Sequence, residues 1–341
     1  MTTQDETNPP PPPEDLIDPL SLASPGRVVP AGEEMPPIAG AGTTGAAAPE
    51  GGDSSSVGGM GRQILRVFVE NKLAVVGLFV IVFFILFCFV GPLLYHTNQQ
   101  NAELALNANQ NAPPGTGDPL GTDATGFDML GRLMFGGQAS LIVGFSSAAA
   151  ATVVGVIYGA VAGFIGGWID AIMMRFVDML LSVPVLFLLI ALVTIYRQSE
   201  VLIIVVIAFV SWLIPARLIR GETLTLRVRE YVEAVRVMGG SRTRIVGRHI
   251  VPNSIGTIVV FATFQVADSI LLLAALGFIG LGIPAPGTDW GTMLSNGVDS
   301  AALGYWWEIY PAGLCIVLVV IAFNFIGDAL RDALEVRLQR R

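Results

Sequence analysis

Residues able to do chemistry are few in this chain, and their placement excludes several activities at once. Lys72 is the single lysine and stands between Asn71 and Leu73, so no GxxxxGK[ST] phosphate-binding loop exists and any nucleotide hydrolysis belongs to another subunit. Cys88 and Cys315 both lie inside apolar runs, which argues against a disulfide framework or a Cys/His zinc site. His96 and His249 are the only histidines, too few for an imidazole metal set or a nucleophilic triad. Asp118, Asp123 and Asp128 recur at five-residue steps. A calcium loop needs oxygens at alternate positions, so turns and helix caps are the expected roles.

Two places carry charge in a more informative way. Asp268 is the one acid inside the apolar run 255–281, where an ionisable group is disfavoured by roughly 3 kcal/mol unless it meets water, a partner or the bundle interior. It either lines a translocation path, attracting an ammonium group, or bonds a neighbouring helix. The second place is the connection 220–254: eight arginines fall between 217 and 248, with Glu222, Glu230 and Glu233 among them. The stretch TLRVREYVEAVRVM reads as a helix ended by Gly239-Gly240, and SRTRIVGRHI as a shorter one running to Pro252. Leu226, Tyr231, Ala234, Val235 and Met238 form an apolar ridge flanked by Arg227, Glu233 and Arg236. Such a ridge suits a partner's groove; an arginine-rich anchor on anionic headgroups is the competing reading. Asp170, Arg175 and Asp178 are expected to form a local ion pair. Asp328, Arg331 and Asp332 are expected to end the last helix.

The elements that must position these residues follow from composition. Of 341 residues, 53% are hydrophobic and 13% charged, and mean hydropathy is +0.66, a bilayer composition. The net charge of -8 resides in residues 1–60, which hold nine acids, one arginine, eleven prolines and no aromatic residue. That segment reads as a disordered tail. Apolar spans follow at about 73–94, 139–164, 174–195, 201–219, 255–281 and 309–328, six in all. With the N-terminus inside, seventeen basic residues fall on the cytoplasmic side and two, Arg132 and Arg197, on the other, so both termini are expected in the cytoplasm. Trp290, Tyr305, Trp306, Trp307 and Tyr310 are then expected at the outer interface. Gly155, Gly159 and Gly163 share a helix face and invite close packing. Pro184 and Pro215 can kink their spans, and Gly277, Gly280 and Gly282 permit close contact or a break before Pro284.

Four stretches carry a family resemblance. Glu233-Ala234-Val235, Gly239 and Pro252 are spaced as in the EAA loop of ATP-binding-cassette importer permeases. LGTDATGFDMLGRLMFGGQASLIVG resembles LGTDxxGRDxxSRLxxGxxxSLxVG of the dipeptide/oligopeptide/nickel branch, and GFIGLGIPAPGTDWGTML and AFNFIGDALRDALEVR resemble two further patterns of that branch. The resemblance implies an all-α integral membrane subunit with six transmembrane helices, of the type I importer-permease fold, in a bacterial plasma (inner) membrane. It implies coupling to an ATPase through Glu233, Ala234 and Gly239, with Tyr231, Arg236 and Met238 beside them. It further implies a second homologous permease, two ATPase subunits that hold the ATP and Mg, and an extracytoplasmic substrate-binding protein. The chain itself then binds no cofactor, metal or nucleic acid and performs no bond chemistry. Peptides are the implied substrate, with nickel chelates or glutathione as alternatives within the same machinery. An ATP-independent secondary transporter is the reading from another class, and it predicts buried charge in several spans.

Overall fold

A computed structural model describes residues 68–99, 101–115, 117–196 and 198–339. The tail 1–60 and Arg197 lie outside the described residues. Within them the chain is helical, and the only β pairing is an isolated bridge between Thr122 and Asp128.

The helices used below are α1 Lys72–Phe89, α2 Met129–Ile165, α3 Gly167–Leu181, α4 Val185–Ile195, α5 Glu200–Ser211, α6 Leu213–Leu226, α7 Glu230–Val237, α8 Arg242–Ile245, α9 Ile255–Phe278, α10 Trp290–Ala302 and α11 Tyr310–Gln339. Among the described residues five continuous helical segments are long and apolar enough to cross a bilayer, and α3 with α4 forms a sixth, bent by 83°. Polar side chains set where several begin. Asn71 caps α1, its Oδ1 accepting from the backbone N–H of Leu73 and Ala74. Asp128 caps α2 in the same way through Leu130 and Gly131, and Asp123 accepts from Thr125 and Phe127 in the preceding turn. Capping and turn chemistry therefore accounts for Asp128, and for Asp123 together with its ion pair to Arg132 at 2.8 Å.

Several boundaries differ from the sequence expectation, each for a local reason. The expected span 174–195 is two helices, because Pro184 has no N–H to donate and the chain turns at Ser182–Pro184. The helix expected over TLRVREYVEAVRVM is broken at Arg227–Arg229: Arg227 ends α6, and the turn brings Val232 inward. Pro252 lies between α8 and α9 without bending the chain away from one axis. A π turn at Val246–Ile250 and a 3-10 turn at Val251–Ser254 carry the axis from α8 into α9, with Ser254 Oγ donating to the Ile250 carbonyl, 3.2 Å. The last helix does not stop at Asp328–Asp332 but continues to Gln339.

The interior is divided by layers. One core joins α1, the start of α2, α9, α10 and α11 around Phe84, Trp290 and Phe323. A second joins α4, α5 and α9 through Leu189, Ile207 and Leu273, and a third joins α2, α3 and α6 through Val177, Trp212 and Ala216. Trp290 and Trp307 are buried within the helix packing, and each indole N–H donates to a carbonyl: Leu133 at 3.0 Å and Thr122 at 3.2 Å. Trp306 and Tyr310 remain exposed.

Candidate functional site

Close packing of α2 on α6 is the base on which the arginine-bearing end is built. A methyl group at Gly155 would approach Pro215 Cβ to 2.5 Å, and one at Gly159 the Ala216 carbonyl oxygen to 2.3 Å. At Gly163 it would meet the Arg220 carbonyl oxygen at 2.8 Å. The stripe of small residues thus lets two backbones touch, as its spacing predicts. On the other side of α6, Arg220 grips Asp170 of α3 with two bonds, Nε to Oδ1 at 2.6 Å and the second nitrogen to Oδ2 at 2.7 Å. Arg217, one turn earlier, bonds Asp178. The local pair expected around Arg175 is therefore not formed: both aspartates are taken by α6 arginines, and Arg175 is exposed.

From this base projects α7. Glu230 and Glu233 occupy its first turn and Arg236 its last, the charge order that complements the helix dipole. Its end is a Schellman turn: Gly239 takes φ +81°, and the N–H of Gly240 reaches the Val235 carbonyl at 2.9 Å. Ser241 then caps α8 through the N–H of Arg244. Val232, Ile245 and Ile250 are fully buried against one another, with Phe164, Leu226, Val235 and Val246 packed around them. Burying a side chain such as Val232 or Ile245 contributes about 1.5–3 kcal/mol, so this small cluster can hold α7, α8 and the end of α2 together. Arg227 donates to the Gly163 carbonyl at 2.8 Å, and the Arg236 guanidinium lies 6.0 Å from the centre of the Phe164 ring.

The face of α7 turned away from this cluster is open. Glu233, Ala234, Arg236 and Gly239 are exposed, as are Tyr231 at 41% and Met238 at 76%. The six residues selected from the sequence thus occur on one projecting element. Sequence reasoning missed Val232 and Val237. The first is the buried anchor, the second is 84% exposed, and only the break at Arg227–Arg229, invisible to helix periodicity, sets which of them faces inward.

Asp268 lies far from α7. It is exposed on α9 and lines a groove of about 580 Å³ between α9, the α3–α4 bend and the α5–α6 junction. It makes no hydrogen bond or ion pair with a described residue, so the alternative of a structural bond to a neighbouring helix is not formed among them. No cluster of three or more His, Cys, Asp or Glu able to hold a metal occurs among the described residues.

Helices of these lengths, packed in this way, define an all-α integral membrane protein whose polar element projects from one end of the bundle. Residues 155–340 match the model of the binding-protein-dependent transport system inner membrane component, and residues 59–114 that of the N-terminal transmembrane domain of oligopeptide transport permease C. The chain belongs to this family of inner membrane permeases and is a transport subunit. Over 271 residues it is 41% identical to the oligopeptide transport system permease protein OppC of Haemophilus influenzae, covering 79% of this chain and 86% of that protein. The corresponding protein of Escherichia coli K12 is 43% identical, with 79% and 89% covered. The dipeptide transport system permease protein DppC of Bacillus subtilis is 37% identical over 275 residues, 81% of this chain and 85% of the relative.

Proposed function

We propose that this chain is one of two homologous permease subunits of an ATP-driven peptide importer, and that α7 and its flanking turns are the surface on which an ATPase subunit docks. The observation that carries this reading is the two-sidedness of α7. Its inner face is fixed by Val232, while Tyr231, Ala234 and Met238 stand exposed. Names of the relatives support di- or oligopeptides as cargo. Two ATPase subunits hold the ATP and Mg, an extracytoplasmic binding protein delivers the substrate, and the arginine-bearing end with both termini faces the cytoplasm of a bacterial inner membrane. Residues 61–341 form the permease domain and 220–254 the coupling loop.

The mechanism follows from what is rigid and what is broken. Closure of the ATPases moves α7 together with Glu233, Arg236 and Gly239. Arg227 and the Val232 cluster pass that motion to the end of α2. The glycine stripe and the Asp170–Arg220 pair make α2, α3 and α6 move with it. The break at Ser182–Pro184 is where this block can turn relative to α4, so that the path alternates between inward-open and outward-open. No bond chemistry occurs on this chain.

The test is uptake into vesicles containing both permeases, the ATPases and the binding protein. The reading predicts accumulation of a labelled di- or oligopeptide that requires ATP and the binding protein. Accumulation without ATP would mark a secondary transporter, and uptake of a nickel chelate or glutathione but no peptide would move the substrate assignment within the same machinery.

A further inference from the structure

The groove at Asp268 has the chemistry of a binding site and not merely of an open helix face. Gln265, Asp268 and Leu272 lie on one face of α9, three and four residues apart. Asp268 is thirteen residues into the helix, about 20 Å along its axis, level with the interruption at Pro184 that opens the opposite wall. Gln265 is 96% buried, yet it lines the groove and forms no hydrogen bond with a described residue. Ser211 is buried at the end of α5, lines the same groove, and is also without a side-chain partner among the described residues. The rest of the wall is aliphatic, including Val185, Ile214 and Leu272, and among the described residues no Lys, Arg or His lines it.

We propose that this groove is a transport subsite for the free ammonium terminus of a peptide, with Asp268 as counter-charge and Gln265 and Ser211 as hydrogen-bonding partners. An ammonium has three donors and no acceptor; a carboxylate, an amide oxygen and a hydroxyl oxygen are three acceptors. A groove of about 580 Å³ falls in the range that accepts a small ligand. Its aliphatic walls can bury a side chain without selecting one, so the subsite reads the terminus and tolerates varied residues beside it. This inference rests on the peptide-importer reading above and adds the part of the substrate that this chain recognises.

The test uses the complete importer in vesicles with Leu272→Cys as reporter, one helical turn from Asp268. The probes are an ammonium-bearing methanethiosulfonate and a neutral one of equal size, with rates normalised to those on free cysteine. Cys88 and Cys315 are buried, and the parent complex lacking the reporter supplies the background. The cationic probe is expected to react at least about fivefold faster, since a lone charge in a low-dielectric cleft concentrates its counter-ion. Asp268→Asn should equalise the two rates, while Asp268→Glu should keep the preference. A dipeptide should slow labelling, and its N-acetylated form should not. Equal rates with Asp268 present, or no reaction with either probe because a helix of the second permease fills the groove, would overturn the subsite. ATP-driven uptake of the dipeptide by the same vesicles separates the two claims: equal rates with uptake intact reject only the subsite, whereas a cationic preference without any peptide uptake rejects the importer reading and the peptide assignment with it.

Discussion

Arg227 and Gly163 stand 64 residues apart in the chain, yet the guanidinium of the first donates to the carbonyl of the second at 2.8 Å. This bond ties the turn before α7 to the last turn of α2. A hydrogen bond from a charged donor contributes about 1.5–3 kcal/mol. Arg227→Ala should therefore leave assembly intact and loosen the lever, lowering peptide uptake on the order of tenfold while ATP hydrolysis falls less. Parallel assays of uptake and hydrolysis on one vesicle preparation check this. Equal losses in both would show that Arg227 does not transmit motion.

Gly239 isolates the part played by backbone geometry. Its φ is +81° and a Cβ there would meet no described residue within 4 Å, so a substitution is opposed by backbone strain and not by crowding among the described residues. Gly239→Ala should cost about 1–2 kcal/mol in forming the turn, and Gly239→Asn less, since asparagine tolerates the left-handed region. Peptide-stimulated hydrolysis should rank glycine, asparagine, alanine in descending order. A reversed order of alanine and asparagine would place the effect in the partner contact instead.

Packing of α2 on α6 is tested at Gly159, where an added methyl would stand 2.3 Å from the Ala216 carbonyl oxygen. Backbone cannot yield as a side-chain tip does, so Gly159→Ala should destabilise by about 1–3 kcal/mol, the range for overpacking. The thermal midpoint of the complex in detergent should fall, and an unchanged midpoint would contradict the close approach. This contact was legible in the sequence, because small residues at every fourth position report a helix face without naming its partner. The Asp170–Arg220 pair was not. Its partners lie 50 residues apart, and Arg175, close by in the chain, offered a nearer cation. Helix propensity likewise runs unbroken through Arg227–Arg229, where the turn is accompanied by the Arg227–Gly163 bond and the packing of Val232 on Ile245.

The Asp170–Arg220 pair itself should be worth little more than about 1 kcal/mol in a double-mutant cycle with Asp170→Asn and Arg220→Gln, because the arginine side chain retains 33% of its exposure. The coupling energy, read from thermal midpoints, should shrink as salt is raised. A salt-independent coupling of several kcal/mol would mean that the pair is shut away from water in the assembled complex.

The most direct test of the account is peptide-stimulated ATP hydrolysis by the reconstituted complex carrying Ala234→Asp. Ala234 is exposed at the middle of the open face of α7, so the substitution leaves the Val232 cluster untouched and places a charge only where the ATPase is proposed to sit. The predicted result is normal insertion of the chain together with loss of stimulated hydrolysis and of uptake. Stimulation at the parent level, with the variant chain present in full amount, would contradict the proposal that α7 is the coupling surface.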